Sequence, residues 1–223
     1  MKKIITLLMI AAMAMPTFAQ FSGLGRRDRF NHSNAEQYYG VRLGMNIATL
    51  SSDQVNFDMN SRVGLAFGAV YGFQLANSMP LWLEAGLFYS EKGGKSHWEY
   101  SDDSNGTTRT YEQKVKTRLS YLQLPIVMKY NFDIADDLYV QPFLGGYFAL
   151  GVGGKTKEYG TRESYSSYEH VNRFDGGLRV GCGVEYSMAY LEMGFDFGIT
   201  NISKDDFTSI RNRVFFVNAG VNF

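Results

Sequence analysis

The side chains of this 223-residue chain with the plainest chemical potential are three histidines, one cysteine and scattered serines. Acyl transfer or hydrolysis needs a hydroxyl or thiol oriented beside a base. His97 follows Ser96, and His170 lies near Ser164, Ser166 and Ser167, whereas His32 stands apart near the N-terminus. Neither histidine–serine grouping falls in a regularly patterned segment that would hold nucleophile and base rigidly, so no catalytic residue is assigned. Metal-ligand spacing is missing, and Gly151-Val152-Gly153-Gly154 is no phosphate cradle because no helix follows it. No cofactor is expected. The single Cys182 excludes an intramolecular disulfide.

A second set of reactive side chains is ionic and more regular. Arg42, Glu84, Lys129, Asp175, Arg179, Glu185, Glu192 and Asp196 each occupy an alternate position within an otherwise apolar stretch. Eight such stretches follow one another. Tyr39, Val41, Leu43, Met45 and Ile47 alternate with smaller or polar residues in the first. Val63 to Leu75, Leu81 to Tyr89, Leu122 to Phe132 and Leu138 to Leu150 repeat the pattern. Phe174 to Tyr186, Leu191 to Ile199 and Phe215 to Phe223 complete it. A period of two over about ten residues marks a membrane-spanning β-strand. The expected fold is therefore all-β, an eight-stranded antiparallel up-and-down transmembrane barrel over residues 38–223.

The connections support this independently. Residues 76–80, 133–137 and 187–188 are short links, while 49–61, 91–115, 153–172 and 201–212 are long, and the two kinds alternate. Outer-membrane barrels have short periplasmic turns and longer external loops. Aromatic residues gather at the strand ends expected on the periplasmic side: Tyr39, Phe73, Tyr130, Phe132, Tyr186 and Phe223. A cation facing mid-bilayer lipid costs about 2–4 kcal/mol, so the eight charged residues must point inward. The lumen of so small a barrel is just wide enough to be filled by side chains. Carboxylates and cations are expected to pair across it as a polar plug, with a narrow polar path or small-ligand site as the alternative.

Composition agrees. Aromatic residues make up 15%, with 24 glycines and only 4 prolines, a mixture poor for helices and for disorder. Net charge is zero, which argues against nucleic acid as a partner. At the N-terminus, Lys2 and Lys3 precede an apolar run from Ile4 to Ala14 and then Met15-Pro16-Thr17-Phe18-Ala19. These are the parts of a secretory signal peptide, expected over residues 1–19 with cleavage after Ala19. Residues 20–37, with Arg26, Arg27 and Arg29, read as a periplasmic lead-in whose arginines could meet lipid phosphates.

Two stretches carry a family resemblance. Tyr39-Gly40-Val41-Arg42-Leu43-Gly44-Met45-Asn46 resembles the G-x-x-x-G-x-N opening strand of the PorT-like outer-membrane barrel proteins of Bacteroidetes-type bacteria. Tyr121-Leu122-Gln123-Leu124-Pro125-Ile126-Val127-Met128-Lys129-Tyr130 is similar to that family's YLxIPxxxKY strand. The resemblance implies an eight-stranded barrel, an outer-membrane location and, through the family's namesake, an accessory part in the secretion of exported proteins. The terminal Phe223, with Val221 and Ala219 spaced by two, resembles the signal read by the barrel-assembly machinery.

The expected function is non-enzymatic: a structural or interaction barrel in contact with outer-membrane lipid. Protein or glycan contact is expected through the external loops, with Trp98, Tyr100, Tyr165 and Tyr168 as contact residues. The alternatives are a narrow pore or small-ligand carrier and, less favoured, a lipid-modifying enzyme using His97 or His170. Thr108–Leu119 also reads as strand carried beyond the membrane, which would turn the second long link into a β-ribbon.

Overall fold

A computed structural model describes residues 37–52, 60–75, 79–102, 109–159, 164–169, 171–204 and 209–223. The expected signal peptide, most of the lead-in and His32 fall outside the described residues.

Ten strands follow in chain order: β1 Gln37–Ser52, β2 Asn60–Gln74, β3 Leu81–Asp102, β4 Arg109–Tyr130, β5 Phe132–Ala135, β6 Leu138–Tyr159, β7 Ser164–Tyr165, β8 Phe174–Tyr186, β9 Ala189–Gly198 and β10 Ile210–Asn222. Eight are long, and β5 and β7 are short additions to β6. The long strands pair antiparallel with their chain neighbours, β4 with β6 across the β5 hairpin, and β1 pairs with β10 from Gly40↔Asn222 to Ser52↔Ile210. First and last strands thus close the sheet into an eight-stranded barrel. Closure removes both sheet edges, which hydrocarbon would otherwise leave unpaired.

The alternation has the physical outcome that its period dictates. Along β2 the residues from Arg62 to Val70 alternate buried and exposed, with Val63, Leu65 and Phe67 outward. The apolar side chains form a belt around all eight long strands, with Leu43, Leu65, Leu87, Met128, Leu144, Leu178 and Met193 exposed along it and Val217 half-buried. Leu43, for example, is 61% exposed. Such a belt is a severe liability in water and the natural surface for lipid. The aromatic residues Tyr39, Phe73, Tyr130, Phe132, Tyr186 and Phe223 all lie exposed at the short-turn end.

Two of the short links are two-residue turns. Asp136-Asp137 joins β5 to β6 and Ser187-Met188 joins β8 to β9, with Asp137 and Ser187 in the left-handed region at φ 60° and 55°. The long-link end differs from expectation in extent. Residues 91–115 were expected as a link, but β3 and β4 pair continuously out to Asp102↔Arg109, and β6 joins them as far as Lys114↔Tyr159. The result is a three-stranded ribbon standing on the barrel rim. Thr108 itself lies outside the described residues, and the strand reading of 109–119 holds.

Two irregularities mark the rim. The β2–β3 register shifts between Ser61 and Ala66, where Gly93 on β3 adopts φ 130°; a side chain there would also strike the Thr117 carbonyl. In the β4–β6 pair, Ser120 faces Gly153 and Tyr121 faces Gly151, leaving Val152 as a bulged extra residue.

Candidate functional site

The interior is built by large side chains set against glycines. A Cβ on Gly72 would fall on the Tyr38 ring, one on Gly183 on the Tyr190 hydroxyl, and one on Gly194 against Phe216. The glycine-rich face seen in the sequence is thus the space that lets aromatic and charged residues fit within a narrow barrel. Trp82, Tyr121, Tyr147, Phe216, Lys92 and Lys129 are among the largest fully buried side chains.

Toward the short-turn end, Glu84 of β3 is the centre of one cluster. It accepts from Lys129 Nζ at 2.7 Å and from Tyr38 Oη at 2.6 Å, with Arg42 Nη2 at 3.7 Å. Lys129 also donates to Tyr190 Oη at 2.7 Å, and the Arg42 guanidinium lies 3.9 Å from the centre of that ring. Midway, Arg179 Nε donates to Asp196 Oδ1 at 2.8 Å, and Gln123 donates to Oδ2 at 2.8 Å. Phe216 stacks beneath Arg179 at 4.0 Å. Toward the long-link end, Asp175 accepts from Lys92 at 2.9 Å and from Asn212 at 2.9 Å. Lys92 sits 4.2 Å from the centre of the Tyr147 ring.

Of the eight charged residues singled out in the sequence, the structure therefore joins Arg42, Glu84 and Lys129 in one cluster and Arg179 and Asp196 in another. Asp175 is paired with Lys92, which sequence reasoning had assigned to a link. Glu185 and Glu192 are both held by side-chain amides. Glu185 accepts from Asn222 at 2.7 Å and Gln141 at 3.0 Å, and Glu192 from Asn218 at 2.8 Å. Amides there supply hydrogen bonds to buried carboxylates. Asn46, Gln123, Gln141, Asn212, Asn218 and Asn222 were missed as members of the polar interior. Their signal was present, since each shares the inward parity of its strand.

The loop residues fare differently. Tyr168 was expected on an exposed loop, but it is 5% exposed and donates to the Ser120 carbonyl at 3.0 Å. It packs edge-on against Tyr121 inside the mouth, because the 3-10 turn Ser167–Glu169 folds back over the rim. It is therefore unavailable as a surface contact. The side chains of Trp98, Tyr100, Tyr165 and His97 lie outside the described residues, as does His170. Ser167, one candidate nucleophile, is buried and bonded to Thr156 Oγ1 at 2.9 Å and the Arg118 carbonyl at 3.2 Å. Phe223 is exposed, and its backbone exchanges two hydrogen bonds with Tyr39. No group of three His, Cys, Asp or Glu side chains among the described residues is placed to hold a metal ion.

A closed antiparallel barrel with an apolar exterior and a charged, filled interior defines an integral outer-membrane protein. Residues 18–204 match the family described as outer membrane protein beta-barrel domain, and the chain belongs to that family. It resides in the outer membrane. No curated protein matches it. Among solved structures it resembles Neisserial surface protein A at 17% identity and TM-score 0.46, covering 85% of this chain and 98% of that one. Ail, the attachment invasion locus protein of Yersinia pestis, aligns at 13% identity and TM-score 0.42, over 85% of this chain and all, 100%, of the other. E. coli outer membrane protein W gives 11% identity and TM-score 0.41 with the same coverage, 85% and 100%.

Proposed function

We propose that this protein is a closed, non-conducting and non-enzymatic membrane anchor that presents the β3–β4–β6 ribbon for contact with a protein or glycan partner. The observation that carries the reading is the filled lumen. Arg42–Glu84–Lys129, Arg179–Asp196 and Lys92–Asp175 are stacked along its length, and Trp82, Phe216, Tyr147 and Tyr121 fill the space between. Buried charges that satisfy one another leave little for a permeating solute to displace. The ribbon stands at the long-link end, which is the external end in barrels of this kind. The two strand motifs similar to the PorT-like proteins support assignment to that branch, and with it an accessory part in protein secretion.

The decisive experiment is planar-bilayer recording of the refolded protein. No unitary conductance is expected, and a stable ohmic channel would replace this reading with that of a narrow pore. For the secretion role, deletion of the gene should deplete exported proteins from the medium, and an unchanged secretome removes that part of the proposal. Replacing His97 and His170 together should leave outer-membrane acyl chains unchanged; an altered lipid profile would instead reveal a lipid-modifying enzyme. Phe223 is proposed as the assembly signal, so Phe223→Ala should lower the yield of folded barrel in the membrane.

A further inference from the structure

Immediately beyond the apolar belt, the exposed face where β4 meets β6 changes character. Leu122 pairs with Leu150, the last such apolar pair. Four residues further along β4, Arg118 stands directly opposite Lys155, and Lys116 stands directly opposite Lys157. All four are exposed, alternating with buried Thr117 and Thr156. Like charges placed directly across antiparallel strands are destabilising. Two such pairs in succession are a cost that, among the described residues, is relieved only at Arg118. The carboxylate within reach is Glu91, bonded to Arg118 and, at 3.2 Å, to Arg62. Lys116, Lys155 and Lys157 form no ion pair among the described residues.

The same residues line a concavity. Arg62, Lys116, Arg118, Ser120, Gly153, Gly154, Lys155 and Lys157 surround about 490 Å³. Gly153 faces open space there, with no atom within 4 Å of where a Cβ would stand. Cationic walls, a hydroxyl and an open glycine floor make a receptacle for a tetrahedral oxyanion, with the Arg118 fork suited to two oxygens and the lysines to point contacts. Its depth narrows the source. Four residues of a tilted strand rise about 10 Å above Leu122, the level of lipid headgroups rather than of free solution.

We propose that this concavity binds the phosphate groups of a phosphorylated glycolipid in the outer leaflet. The lipid's acyl chains would lie along Leu122, Leu124, Phe148, Leu150 and Val152 below, all exposed. The site uses the outer face of the wall and is independent of whether the lumen conducts. It does rest on the long-link end being external.

The test is native mass spectrometry of the refolded full barrel in nonionic detergent, titrated with lipid A carrying both phosphates. A one-to-one complex is expected. The Lys116→Gln/Lys155→Gln/Lys157→Gln variant should bind at least about tenfold more weakly, the effect of losing a single charge-assisted hydrogen bond. The corresponding triple Lys→Arg variant should restore binding. Because these side chains are exposed, both variants should keep the gel shift on boiling that marks a folded barrel. Should the glutamine variant fail to fold, the contrast between wild type and lipid A stripped of phosphate still decides, with weaker binding of the stripped lipid expected. Equal affinity for the stripped lipid would overturn the proposal. So would full displacement by millimolar inorganic phosphate or by a sulfated polysaccharide, which would mark a site for soluble anions.

Discussion

Lys92 and Lys155 are separated by a single step of register across β4: Lys92 pairs with Leu119, and Lys155 with its neighbour Arg118. One faces in and the other out. Lys92 is fully buried, bonded to Asp175 at 2.9 Å and stacked on Tyr147. Lys155 is exposed and opposes an arginine. The inner wall buries Arg42, Lys92, Lys129 and Arg179 together with Glu84, Asp175, Glu185, Glu192 and Asp196. Low dielectric makes an uncompensated charge there very costly, so pairing inside is a condition of folding. Outside and above the belt, water and counterions screen like charges, so an unbalanced cluster is tolerated. Paired charge in this protein therefore reads as architecture, and unpaired charge as a place for a ligand.

The contrast can be broken most severely from the inside. Glu84→Leu strands Lys129 and Arg42 without their shared carboxylate, and should cost about 3–5 kcal/mol of folding free energy. Urea unfolding in lipid vesicles measures it. A loss under 1 kcal/mol would mean that the interior tolerates free charge and that the contrast is false. Next comes a charge placed on the belt: Leu43→Arg, at mid-strand on the outer face, should cost about 2–4 kcal/mol in the same assay. Third, Gly183→Val drives two methyl groups into the Tyr190 ring that helps hold Lys129, and overpacking of this kind costs about 1–3 kcal/mol. The smallest effect belongs to the outer cluster. Lys157→Gln removes one like-charge opposition and should leave stability unchanged or raise it by up to about 0.5 kcal/mol. A clear destabilisation would show that Lys157 has a structural partner and would blur the distinction.

How much of this was legible in the sequence varied with the regularity of the chain. Where alternation runs unbroken, as from Leu122 to Tyr130, both faces and the charged Lys129 follow from period alone. The same parity reaches Lys92 through Trp82, Glu84, Gly86, Phe88 and Ser90, but the polar run that begins at Glu91 resembles a link in composition. Paired neighbours keep it in the sheet, and pairing is nonlocal information. The amide partners of Glu185 and Glu192 were hidden for a similar reason. Asn218 and Asn222 share the inward face with them, yet which inward side chains meet across neighbouring strands is set by register. Tyr168 was misplaced because a chain that folds back into the barrel mouth has the same local composition as one that stays outside.

Val152 shows how much depends on a single backbone irregularity. From Leu138 to Val152 the even-numbered positions of β6 look outward, but beyond it Lys155 and Lys157 do, at odd numbers. The bulge shifts the phase of the strand by one, and a shift of one exchanges the two faces. With an unbroken ladder, both lysines would be directed into the crowded interior, away from the rim surface they now form. The electrical character of the rim is thus written in where the backbone inserts a residue, and a one-codon deletion at that point would rewrite it without touching a charged side chain.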